Sequence, residues 1–185
     1  MKLEKFSPEI IERAKQIKML VFDVDGVMTD GSITYDENGV EYKTFNVKDG
    51  QGLVRMAKSG FVTAIITARN NGTVKHRAEN LQITELYQGQ KVKLPALEEL
   101  LKKYNLTYKN VSYMGDDIPD LCILEQLKDY GLPCCPADAV DEVLEKCLFI
   151  SSKNGGRGAV RELCDLILEA QGIEKIQQIC EGKNR

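Results

Sequence analysis

Two aspartates stand one residue apart where the apolar run Leu20-Val21-Phe22 stops: Asp23 and Asp25, followed by Gly26. Farther along come Thr67 in AIITARNN, Lys93 in YQGQKVKL, and Gly115-Asp116-Asp117 in SYMGDDIPDL. Clustered carboxylates repel and raise one another's pKa unless a cation neutralises them. Hard oxygen donors with open positions suit Mg²⁺. Mg²⁺ with a lysine opposite makes a clamp for a phosphoryl group. An aspartate beside that clamp can attack phosphorus and carry the group as an aspartyl phosphate. A second aspartate can reach the same place if the chain turns there, as Gly26 permits. It is then placed to protonate the leaving oxygen and afterwards to activate water. Taken singly, each residue has a plainer reading: an aspartate after a strand as a turn or cap residue, Thr67 as a cap, Lys93 as a surface lysine. Their joint occurrence is what carries the argument.

Such residues meet only if the chain brings its strand ends together. Ser7-Pro8 predicts an N-cap and a first helical residue, opening a helix over about 8–18. A strand follows at Met19–Phe22. Alternation in 32–46 around Asp36-Glu37-Asn38-Gly39 predicts a β-hairpin, with Tyr35, Tyr42 and Phe45 as strand packing or an oligomer contact. Then helices near 50–59, 72–82, 94–104, 118–128, 138–146 and 157–170 alternate with strands near 61–66, 85–87, 111–114, 131–134 and 148–150. The segment after Gly172 reads as a short helix. Strand–helix alternation predicts an α/β fold with a doubly wound parallel sheet, and such sheets bind ligands beyond the carboxyl ends of their strands. All of the candidate residues above fall there.

The bulk composition narrows the classes. The chain has 185 residues and a formal net charge of −3, with its basic residues scattered, so no nucleic-acid face is expected. No apolar run approaches the ~18 residues of a membrane span, and the charged N-terminus does not read as a signal peptide. Six cysteines without C-x-x-C spacing predict reduced thiols in a cytoplasmic protein, and a single histidine leaves little for zinc. One domain over 1–185 is expected. NGGRG at 154–158 is neither a dinucleotide nor a P-loop fingerprint. It reads as a loop that inserts into a neighbouring subunit's site or as a plain turn. His76 reads as a surface residue.

With D-x-D-G at 23–26, Thr67, Lys93 and GDDxxD at 115–120 in this order, the sequence resembles the haloacid dehalogenase superfamily from Met19 to about Ala170. The resemblance implies Asp23 as nucleophile and Mg²⁺ ligand, and Asp25 as general acid/base and ligand through its carbonyl. Thr67 and Lys93 would hold the phosphate. Asp116 would ligate the metal, with Asp117 and Asp120 in support. Only the hairpin fits between Gly26 and the next helix, so a capless member with a hairpin flap is implied, its open site covered by neighbours in a homotetramer. VFDVDGVMTDGSITYDENGVEYKTFNVKDGQGL and NGGRGAVRELCDLIL resemble the members acting on small phosphorylated sugar acids. The expected substrate is an eight-carbon sugar acid phosphate feeding lipopolysaccharide synthesis; the alternative is a nine-carbon sialic-acid-type 9-phosphate. In the subgroup acting on nine-carbon esters an acidic residue commonly stands where this chain has Arg69 and tends to stand where it has Arg157, so the resemblance implies the first; arginine also pairs carboxylates in bidentate fashion. Arg77 matches a position that reaches substrate, across a subunit boundary. Ala68 and Val92 depart from the common Gly and Asp. Lys93 is preferred over Lys91 as the last residue before its helix. A receiver-like phosphoacceptor is a further alternative, but receivers place the acid pair at the first strand and the acceptor later.

Overall fold

The computed structural model describes residues 3–173; the predicted helix after Gly172 falls almost wholly outside them. Ser7 caps α1 (Pro8–Gln16), its hydroxyl accepting from the Ile10 amide at 3.3 Å, with Pro8 opening the helix as expected. The chain continues through β1 (Met19–Phe22), the two-residue hairpin strands β2 (Thr34–Tyr35) and β3 (Glu41–Tyr42), α2 (Val47–Lys58), β4 (Val62–Ile66), α3 (Gly72–Asn80) and β5 (Glu85–Tyr87). It then forms α4 (Leu94–Tyr104), β6 (Val111–Met114), a 3₁₀ turn at Ile118–Asp120, α5 (Leu121–Leu127), β7 (Leu132–Cys135), α6 (Asp141–Leu144), β8 (Phe149–Ile150) and α7 (Ala159–Ala170).

Six parallel strands are ordered β5-β4-β1-β6-β7-β8. The period-2 alternation of strands divides the core in two. Leu20, Phe22, Ile65, Met114 and Leu132 pack on the face with α1, α2 and α7; Met19, Val21, Ala64, Ile66 and Tyr113 pack on the face with α4 and α5. β1 is therefore buried on both sides and reads as a continuous apolar run. The order reverses beside β1, which has β4 on one flank and β6 on the other. That switch point opens a crevice at the carboxyl ends of β1, β4 and β6, where Asp23, Thr67 and Gly115 stand.

Three helix boundaries differ from expectation. α2 starts at Val47 rather than near 50, because the Asn46 side chain accepts from the Lys48 amide at 2.8 Å and makes a cap. The 118–128 segment opens as a 3₁₀ turn around Pro119 before α5 begins. The 138–146 segment contracts to the four residues of α6. The hairpin is present, but Tyr35 and Tyr42 are 57% and 54% exposed. The register pairs Tyr35 with Glu41 and Thr34 with Tyr42, so Tyr35, Glu41 and Lys43 share the inward face and Tyr42 lies on the other.

Candidate active site

Asp23 follows β1 directly, and its amide donates to the Met114 carbonyl at 3.0 Å, extending the sheet pairing by one residue. Its side chain is fixed by the Val24 amide, which donates to Oδ1 at 2.7 Å. Lys93, the residue before α4, is 1% exposed, and its ammonium lies 2.8 Å from Asp23 Oδ2 and 2.6 Å from Asp120 Oδ1. It is this lysine, and not the exposed Lys91, that enters the crevice. Asp120 is wholly buried by the 3₁₀ turn. Its Oδ1 also accepts from the Tyr113 hydroxyl at 2.5 Å, and its Oδ2 from the Asp116 and Asp117 amides at 3.0 and 3.2 Å. Asp120 thus shapes the GDD turn and fixes Lys93. Asp117 caps the same turn, accepting from the Ile118 amide at 2.7 Å.

Asp116 stands apart: its Oδ1 is buried and lacks a hydrogen-bond partner. Gly26, at φ +82°, brings the D-x-D-G turn against it, and a Cβ there would overlap the Asp116 carboxylate. Burial, then the charges of Asp120 and Asp23, raise the Asp116 pKa to about 8 against the pull of Lys93. Burial and Asp120 likewise raise Asp23 to about 6, again opposed by Lys93. Oxygens of Asp23, Asp116 and Asp120 lie within 4.8 Å of one another. Asp120 is buried and committed to Lys93, Tyr113 and two amides, and Asp23 is held by the Val24 amide and Lys93, so Asp116 Oδ1, with Asp23 beside it, is the oxygen without a donor that is offered to a cation. A buried, unpartnered carboxylate oxygen beside a second carboxylate fits a hard divalent cation.

These raised values carry a pH signature. Where the native carboxylates bind protons that the unfolded chain has released, stability falls as pH rises. In buffer stripped of divalent cations, the melting temperature is therefore expected to drop as pH climbs from about 6 toward about 8, above the range in which the paired surface carboxylates, held low, gain stability with pH. A divalent cation should reverse the drop by displacing the protons, and Asp116→Asn should flatten it. Melting curves across pH with and without chelator test this; identical slopes in the parent and in Asp116→Asn would assign the effect elsewhere.

The crevice encloses about 390 Å³ and is lined by Asp23, Asp25, Thr67, Arg69, Lys93 and Asp116 among others. Thr67 is buried where β4 ends, its amide donating to the Tyr87 carbonyl at 2.9 Å. Asp25 is gripped by the Lys43 ammonium, and Arg69 Nε lies 3.6 Å from its Oδ2. Of the three arginines, only Arg69 lines this crevice. Arg77 turns toward α2, its Nη2 donating to the Asn46 carbonyl at 3.4 Å and its guanidinium lying 5.6 Å from the Phe45 ring. Arg157 pairs with Asp30 at 2.8 Å on the surface. The glycine loop before α7 seats Gly155 and Gly156 on the D-x-D-G turn of the same chain, the Gly156 amide donating to the Val27 carbonyl at 2.9 Å; a Cβ on Gly155 would overlap the Gly26 carbonyl. His76 is exposed beside Glu79.

Sequence reasoning passed over Lys43, Glu41 and Tyr113. Lys43 and Glu41 alternate with Tyr42, so period 2 alone could have placed them on one face; the aromatic partner drew attention to the wrong side. Tyr113 lies inside the buried run of β6, where no local signal marks its hydroxyl as a donor to Asp120.

An aspartate at the end of the first strand, a buried lysine and a GDD turn, set at the switch point of a parallel sheet, fit a hydrolase of phosphorylated substrates. Residues 58–163 match the pattern of the haloacid dehalogenase-like hydrolases, and the chain belongs to that family. It is 44% identical to the 3-deoxy-D-manno-octulosonate 8-phosphate phosphatase KdsC of Escherichia coli K12, over 90% of this chain and 87% of the relative. Among solved structures, the 3-deoxy-D-manno-octulosonate 8-phosphate phosphatase of Yersinia pestis superposes with a TM-score of 0.87 at 44% identity, covering 90% of this chain and 88% of that one. The enzyme of the same name from Moraxella catarrhalis, solved with magnesium, phosphate and KDO, gives 0.84 at 41%, covering 89% and 92%.

Proposed function

We propose that this chain hydrolyses 3-deoxy-D-manno-octulosonate 8-phosphate to the free sugar acid and inorganic phosphate, with magnesium as cofactor, as a step toward lipopolysaccharide. The observation that carries the reading is the buried Lys93 held between Asp23 and Asp120, beside the unpartnered Asp116 carboxylate. The similarity to the KdsC phosphatases supports the substrate. Asp23 and Asp116 would hold Mg²⁺ together with the Asp25 carbonyl, and the bound ion would offset negative charge on the phosphoryl oxygens.

The residues then divide the work. Lys93 and Thr67 hold the phosphoryl group, and Lys93 stands next to the Asp23 oxygen that attacks. Asp23 Oδ forms a bond to phosphorus as the ester P–O bond breaks, and Asp25 gives its proton to the departing alkoxide. In the second half, water attacks the aspartyl phosphate, Asp25 takes the water's proton, and the P–O bond to Asp23 breaks. Phosphate leaves and Asp23 is restored. Arg69, exposed enough to meet ligand at 45% side-chain exposure, suits the substrate carboxylate. Asp117 and Asp120 act behind these groups.

The open crevice, with Ile33 exposed in its lining, and the exposed Tyr35, Val40 and Tyr42 of the hairpin support a homotetramer whose neighbours cover the site and bring Arg77 and Arg157 to substrate. The reading takes residues 1–185 as one domain. All five described cysteines are free, in keeping with a reducing cytoplasm.

The deciding experiment is phosphate release with Mg²⁺ from the eight-carbon 8-phosphate and from a sialic-acid-type 9-phosphate. A kcat/KM at least about tenfold higher for the eight-carbon ester is expected, a difference of ~1.4 kcal/mol in transition-state binding. Preference for the nine-carbon ester would retain the chemistry and overturn the assignment of Arg69.

A further inference from the structure

The acid/base partner in this reading is held differently from the nucleophile. Asp23 is fixed by a backbone amide and by Lys93. Among the described residues, the Asp25 carboxylate has only side-chain partners: the Lys43 ammonium and, more loosely, Arg69. Lys43 follows β3, and its side chain is 2% exposed, so an ammonium has been taken out of water to reach Asp25. Such burial is costly unless the charge is paired. The pairing is completed from the hairpin itself: Glu41 lies 2.8 Å from Lys43 and 3.2 Å from Arg69. Four charges of alternating sign therefore close a ring, Asp25–Lys43–Glu41–Arg69, with the hairpin supplying two of them. Long side chains in such a ring lose rotamer freedom together, and the carboxylate they hold gains a fixed direction.

We infer that Lys43 is a positioning residue that aims the Asp25 carboxylate at the leaving-group oxygen, so that the hairpin takes part in the proton transfer. The inference rests on the proposed role of Asp25. A positioned acid matters most where the leaving group is a poor one. An alkoxide departs with difficulty unless protonated, whereas p-nitrophenolate departs without help. Loss of Lys43 should therefore slow alkyl ester cleavage much more than aryl ester cleavage. A merely structural role would slow both alike.

The test is rapid-quench release of the leaving group in the first turnover, before the shared hydrolysis of the aspartyl phosphate. The substrates are p-nitrophenyl phosphate and the sugar acid phosphate, or a hexose 6-phosphate if the parent does not accept the latter. Lys43→Met is expected to lose about 10²-fold on the alkyl ester and under about fivefold on the aryl ester. Lys43→Arg should recover part of the alkyl rate. If Lys43→Met does not fold, Glu41→Gln, which loosens the ring from its far side, should show the same imbalance at smaller size. Equal losses on both esters, or none, overturn the inference. A parent inactive on every ester, or unaffected by Asp23→Asn, would instead overturn the phosphatase reading itself.

Discussion

Asp23→Asn is expected to fold like the parent and to release phosphate at least about 10⁴-fold more slowly, a loss of ~5.5 kcal/mol or more in transition-state stabilisation. The size follows from what the amide cannot do. An asparagine oxygen is a poor nucleophile and cannot form the acyl phosphate on which the second half-reaction depends. The fold survives for reasons visible at the residue. Asparagine keeps an oxygen to accept from the Val24 amide, now 2.7 Å away. Lys93 retains Asp120 at 2.6 Å. One of three crowded carboxylates disappears, and burial had already made its ionisation unfavourable, with a pKa of about 6. The measurement is phosphate release in excess Mg²⁺ together with a melting curve. A variant that folds and still turns over within tenfold of the parent would remove Asp23 from the role of nucleophile. A parent that holds a long-lived phosphoryl group, lost in the variant, would point to a phosphoacceptor domain instead of a phosphatase.

The same residue illustrates what was legible in the sequence. β1 could be read to the residue because a strand buried on both faces is apolar throughout, and Asp23 breaks that run where burial of a charge needs a reason. Thr67, Lys93 and Asp116 were placed by the same logic, each standing just past a strand or just before a helix. Helix starts were read less well, because they depend on which side chain folds back to cap. Asn46 does so for α2 and could not be told from any other loop asparagine. The 3₁₀ turn at 118–120 hid for a related reason: Asp120 looked like a supporting acid, and nothing local says that four donors converge on it from Lys93, Tyr113 and two amides. Lys43 was missed because its partner Asp25 is 18 residues away across a hairpin. Period 2 states that Glu41 and Lys43 share a face; it does not state that the face is the inner one. In an ordinary hairpin the aromatic side is covered and the charged side is wet. Here the crevice is itself charged, so its carboxylate draws the lysine inward; Tyr35, opposite Glu41, lies on that same face with its hydroxyl 3.5 Å from Glu41, and Tyr42 lies on the other.

Lys93→Met should have the largest effect on stability, and its pH dependence identifies the cause. Methionine fills much the same volume, so little is lost in packing. What is lost is the one cation between Asp23 and Asp120, both of which are buried. Breaking a buried pair by removing one partner typically costs about 3–5 kcal/mol, because the remaining charge is left uncompensated. Lys93 also lowers the pKa of Asp23 and Asp116, which burial raises to about 6 and about 8. Without it both must rise further. The native variant then binds protons over a wider range than the unfolded chain, so its stability falls with pH more steeply than the parent's. The sign is fixed: the deficit should be small near pH 5, where protonation of Asp23 replaces the missing cation, and should widen toward pH 8. Urea midpoints of both proteins in chelator at pH 5, 6.5 and 8 would measure it. A deficit that stays constant across this range would assign the loss to packing and remove the electrostatic account of the site. Phosphate release should fall as well, but Mg²⁺ should restore part of the stability without restoring turnover, since a cation on Asp23 and Asp116 offsets their repulsion yet cannot take the place of the ammonium in its proposed hold on the phosphoryl oxygen.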